Sequence, residues 1–170
     1  MKILKSVVTG IDLFSAWVGK TFAWLLVTLI FFTCFEVITR RIFGAPTIWT
    51  LEMSTYLFAA VCMLALGYTQ RDKGHVNVDI LFLYFSPKVK ALCNIITFLL
   101  FLGLFSLILL IYGSFFAYDS IVIQERSPSA FNALVWPSKL AVPVGALLLL
   151  VQAIADVIKD VVFLVKGEKI

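Results

Sequence analysis

"ALCNIITFLLFLGLFSLILLIYGSFFAY", residues 91–118, is a run of 28 residues without one charged side chain. At about 1.5 Å per residue, a helix of this length reaches roughly 42 Å. The hydrocarbon core of a bilayer is only ~30 Å thick. A helix built from this run therefore tilts in a membrane, or projects beyond it on the outside.

Three further apolar runs flank it. Thr21 to Phe35 is uncharged and continues past Glu36 to Thr39. Met53 to Gln70 is uncharged, as is Leu140 to Ala155, which Leu134 to Trp136 extends upstream. The whole chain is 62% hydrophobic and 14% charged over 170 residues, with a mean hydropathy of +1.04. Soluble domains are about 45–50% apolar with roughly 25% charge, so this chain cannot clothe itself in polar groups, and the bilayer is its solvent. Backbone groups in hydrocarbon must bond within their own segment, which selects helices. The alternation of a membrane barrel is missing. The predicted fold is an all-α integral membrane protein, a single membrane domain over 1–170. Its four transmembrane helices lie near 19–39, 48–70, 91–116 and 136–158, with an amphipathic N-terminal segment and an interfacial segment between spans two and three.

Asp12, Trp17 and Lys20 precede the first apolar run, and Arg40 and Arg41 follow it. Those flanks do not read as a cleavable signal peptide. The single cysteines at 34, 62 and 93 have neither metal nor disulfide spacing, and read as buried spectator thiols. Ten of the fourteen Lys and Arg residues fall in the N-terminal segment, the 71–90 connection and the C-terminal tail. Short basic loops stay cytoplasmic, so both termini are expected inside. The net charge of +4 is then a topology signal with some affinity for membrane lipids. No nucleic acid partner and no cofactor are expected.

Between the spans, residues 1–20 place Ile3, Leu4, Val7, Val8, Ile11, Leu13 and Phe14 at rough helical spacing, which suggests an interfacial helix. Gly44 and Pro46 in "RRIFGAPTIW" favour a tight outside turn, followed by Trp49 at the interface. The 119–138 connection is the largest outside element and carries Glu125 and Arg126. Pro137 suits a first helical turn, whereas Pro143 is expected to bend span four.

Three polar features invite a chemical reading. "RDKGHVNVD", residues 71–79, holds the only histidine. His75 with Asp72 or Asp79 could relay a proton, yet no nucleophile, oxyanion hole or metal-ligand set accompanies it. Arg71, Lys73, His75 and Asp79 read instead as a solvated, mutually paired joint where span two leaves the membrane. Glu36 lies one turn before Arg40, a favourable i,i+4 pairing. Glu52 opens span two across a short hairpin from Arg40 and Arg41, so an Arg–Glu clasp is expected there. No charged residue falls at mid-membrane, which weighs against a stand-alone transporter.

Taken in order, these residues resemble the DctQ-type small membrane subunit of tripartite ATP-independent periplasmic (TRAP) transporters. The resemblance rests on Arg40, Pro46, Trp49, Glu52, Gly67, Arg71, His75, Asp79 and Pro87, and on "SPSAFNALVWPSKLAVPVGALLLL" with Pro143 and Gly145. It covers roughly residues 20–158. Leu51 departs from it, since many relatives carry a second acid there. The resemblance implies a bacterial inner-membrane scaffold without catalytic, substrate or metal residues. In such a system a periplasmic substrate-binding protein delivers an organic acid. A large membrane subunit carries the substrate and sodium sites and moves as an elevator. The small subunit braces that partner and helps dock the binding protein through its outer loops, with Gly44, Pro46, Glu125 and Arg126 as docking candidates. Arg40, Arg41, Trp49, Glu52, Arg71, His75 and Asp79 are the structural or interface candidates. Rival readings are a four-span small exporter, which needs an acid deep in span one, a membrane enzyme, and an assembly factor for another complex.

Overall fold

The structure is a computed structural model and describes residues 2–74 and 85–167. The interfacial segment expected between spans two and three, with His75 and Asp79, lies outside the described residues. Among the described residues, six α-helices occur in the order α1 (Lys2–Arg41), α2 (Thr50–Leu64), α3 (Leu66–Arg71), α4 (Pro87–Thr97), α5 (Gly103–Val122) and α6 (Trp136–Lys166). Only Ala65 separates α2 from α3, and a π-helical turn, Phe98–Leu102, joins α4 to α5. They make four candidate spans, Ile3–Arg41, Thr50–Arg71, Pro87–Val122 and Trp136–Lys166. The protein is a four-span, all-α membrane protein.

Local chemistry sets the helix limits. Arg40 and Arg41 sit in the last turn of α1, where cations meet the negative end of the helix dipole. Ser86 caps α4 by accepting from the Val89 amide at 3.5 Å, and Pro87 occupies the first turn. Gly167 ends α6 at φ +72°, its amide bonded to the Phe163 carbonyl at 2.9 Å, the left-handed cap that glycine adopts without strain.

The N-terminal segment runs into span one, and the two form the single 40-residue α1. Val8, Ser15 and Val18 are buried on one side of it. Pro143 lies inside α6, which runs from Trp136 to Lys166. The long third span contains the π-helical turn.

The core is built around α6, which packs against every other helix named above. Its buried face is mostly small: Ala141, Gly145, Ala146, Ala153 and Ala155. Lipid tails are as apolar as leucine, so membrane helices gain from close backbone approach through small residues. Gly145 is the tightest case, because a β-carbon there would lie 2.3 Å from the Met63 carbonyl oxygen. Gly67 on α3 meets the Leu148 backbone in the same way, its β-carbon position 3.0 Å from that carbonyl oxygen.

Candidate functional site: the hairpin end of the bundle

The bundle has two ends. The hairpin end carries the connections 42–49 and 123–135, and the terminal end carries both tails. Between them, several hydroxyls inside the spans turn back on their own helix. Thr33 bonds the Leu29 carbonyl at 2.8 Å, Ser114 that of Leu110 at 2.6 Å, and Ser106 that of Gly103 at 3.0 Å. Such back-bonding consumes the hydroxyl locally.

At the hairpin end, three carboxylates near helix ends each hold a neighbouring segment. Glu36 accepts from Arg40 at 2.7 and 3.0 Å through one oxygen. Through the other it accepts from the Thr47 hydroxyl and, at 3.3 Å, from the Thr47 amide. The Thr47 hydroxyl also meets that of Thr50, a fully buried residue at the start of α2. The first hairpin is thereby tied to α1. Gly44 supplies its turn at φ +60°, and the Ala45 amide bonds the Thr39 carbonyl at 3.1 Å. Trp49 packs edge-on against Phe32 with ring centroids 5.5 Å apart and lies 6.1 Å from Phe35.

Glu52 holds the second connection. One of its oxygens accepts from the Ser127 hydroxyl at 2.7 Å and from the Ser129 hydroxyl. Its other oxygen, and the Tyr56 hydroxyl one turn along α2, are buried and make no hydrogen bond among the described residues. Because a buried carboxylate without donors costs far more than a paired one, Glu52 depends on these two serines. The expected Arg–Glu clasp is therefore corrected. Arg40 turns to Glu36 on its own helix, and Glu52 reaches across to the far connection. Arg41 ends α1 exposed to solvent.

Residues 125–135 fold back on themselves. Arg126 and Leu134 form an antiparallel bridge, the Ser127 amide bonds the Ala133 carbonyl at 2.8 Å, and the Val135 amide bonds that of Glu125 at 3.0 Å. The Arg126 guanidinium donates to the Asn132 carbonyl at 3.1 Å. Glu125 pairs with Lys139 of α6, whose ammonium also sits 3.8 Å from the centre of the Phe116 ring. The hydrogen bond from Lys139 holds the Glu125 carboxyl below the ordinary glutamate range. Gly44, Pro46 and Arg126 lie exposed on this end.

The terminal end contains a network that the sequence analysis does not anticipate. Gln152 of α6 is fully buried. It accepts from Ser15 at 2.6 Å and donates to Asp12 at 2.8 Å and Asp156 at 3.4 Å. Lys159 bridges Asp12 and Asp156 at 2.8 and 3.0 Å. Gln70 of α3 donates to Asp156 at 3.1 Å, and Asn94 of α4 to Asp160 at 3.0 Å. Arg71 closes α3 beside Asp72, at 3.2 Å. A glutamine interrupting an apolar run four residues before an aspartate was the one available signal.

These features define a class: a compact membrane-embedded component with hydrogen-bonded loops at one end and a polar lock at the other. The chain belongs to the DctQ component family of tripartite ATP-independent periplasmic transporters, whose model matches residues 29–163. Over 78 residues it is 28% identical to the sialic acid TRAP transporter permease protein SiaT of Haemophilus influenzae (strain 86-028NP). That stretch covers 46% of this chain and 12% of that relative. No solved structure matches the chain.

Proposed function

We propose that the chain is the small scaffold subunit of a sodium-coupled TRAP transporter in a bacterial inner membrane, a single membrane domain with both termini cytoplasmic. The large membrane subunit carries the substrate and moves. This chain braces its stationary part and offers the hairpin end, facing the periplasm, to the substrate-binding protein. The cargo is an organic acid, in line with the sialic acid in the relative's name. The observation that carries this reading is the hairpin end, where Glu36, Glu52 and Glu125 hold both connections in place.

The test is reconstitution. Liposomes holding this chain alone should show no uptake of the acid. Liposomes holding it with the large subunit should show sodium-dependent uptake once the loaded binding protein is added. Uptake by this chain alone would refute the scaffold role, and sodium-independent uptake by the full system would refute the coupling.

A further inference from the structure

The connection 123–135 could be an ordinary flexible loop, but its contacts make it a preformed surface. It is closed internally by the Arg126–Leu134 bridge and the Arg126–Asn132 bond. It is anchored to α6 by Glu125–Lys139, and to α2 only through the two serines on Glu52 among the hydrogen bonds described. Ser127 and Ser129 also shape their own turn: the Ser129 amide donates to the Ser127 hydroxyl at 3.3 Å, and the Phe131 amide to the Ser129 hydroxyl at 3.1 Å. A serine hydroxyl has one proton to give. Once Glu52 takes that proton, the hydroxyl oxygen is left to accept the backbone amide. The carboxylate and the turn therefore order one another.

We infer that Glu52 is a positioning residue for docking. It fixes Ser127 and Ser129 so that the exposed Arg126, Phe131 and Asn132 form a rigid contact surface for a folded soluble protein. Preorganisation raises affinity by removing the ordering cost from the binding step. Glu52 touches neither the cargo nor the surface that is recognised. This inference rests on the reading that the hairpin end receives the binding protein.

The experiment uses this chain together with the large subunit in lipid nanodiscs. Two quantities are read: affinity for the binding protein encoded with the complex, and hydrogen exchange at the Ser127 and Val135 amides. Glu52→Ala should weaken docking by at least about tenfold, the factor for one of the two charge-assisted hydrogen bonds it removes, and should speed exchange at both amides. Glu52→Gln keeps an acceptor oxygen but loses the charge, and should fall between the parent and Glu52→Ala in both readouts. A Ser127→Ala, Ser129→Ala double variant should match Glu52→Ala, and adding Glu52→Ala to it should change nothing further. This serine variant leaves α2 untouched, so the test survives should Glu52→Ala not assemble. Unchanged docking in the serine variant, or a loss in Glu52→Gln as large as in Glu52→Ala, overturns the inference. A Phe131→Ala, Arg126→Ala surface variant separates the two levels. If it weakens docking while the serine variant does not, only the positioning role fails. If it leaves docking unchanged, the docking reading itself fails.

Discussion

The two ends of the bundle solve the same problem with opposite chemistry. At the terminal end, Asp12, Ser15, Gln70, Gln152, Asp156 and Lys159 join three spans side to side, helix to helix. At the hairpin end, Glu36, Glu52 and Glu125 mainly hold connections onto helix ends. The first arrangement fixes how the helices are placed. The second fixes the shape of what they present. Losses at the terminal end should therefore appear as lost assembly, and losses at the hairpin end as altered recognition with assembly retained.

The sharpest way to break that division is Lys159→Met. It leaves Asp12 and Asp156 facing each other around Gln152 without their cation. Removing one partner of a buried ion pair costs about 3–5 kcal/mol, and the lower end applies because these side chains keep partial exposure. A large drop in the melting temperature of the purified protein is expected. Adding Asp12→Asn should recover part of it, since one uncompensated charge is then gone. A Lys159→Met protein that melts like its parent would show that the lock does not hold the spans.

The second test uses pH. Glu125 has its carboxyl held below the ordinary range by Lys139. A lowered folded value contributes stability above the unfolded value, about 4.3 for glutamate, and loses it as pH falls through the folded one. The stability gap between the parent and Lys139→Gln should stay constant above the unfolded value, about 4.3, and narrow as pH falls through the lower folded one. A gap that does not narrow as pH falls below the unfolded glutamate value would assign the effect to the stacking of Lys139 on Phe116 instead.

The smallest effect belongs to Arg40→Gln. Its pair with Glu36 is an i,i+4 contact with the arginine side chain 57% exposed, and such pairs contribute about 0.3–0.5 kcal/mol. Because Arg40 and Glu52 do not pair, their substitutions should add in a double-mutant cycle read by melting temperature. A coupling of more than about 0.5 kcal/mol between these sites would restore the clasp expected from sequence.

What the sequence disclosed follows from how its signals are encoded. Span positions were legible because hydrophobic length is a local property, and Glu36–Arg40 because i,i+4 spacing is a helical rule. Glu52 was recognisable as important, but its partners were not. Ser127 and Ser129 are hydroxyls some 75 residues away, and nothing in local spacing distinguishes them from other serines. Proximity along the chain favoured an arginine, and the fold placed the acid against the opposite connection. Asp12 was read as part of a surface helix for a related reason. An amphipathic pattern marks which face is polar without marking whether a lipid headgroup or another helix meets it.

The central position of α6 carries a consequence for biogenesis. Ribosomes deliver the chain from its N-terminus, so α1, α2, α3, α4 and α5 enter the membrane before the helix on which they pack. Until Gly145 and Gly67 find their close contacts, Asp12 and Gln70 lack the polar groups of α6 that satisfy them. Before α6 inserts, the earlier helices thus hold polar side chains without these partners. Insertion of α6 supplies those partners, so a chain truncated before residue 136 should keep these side chains unsatisfied.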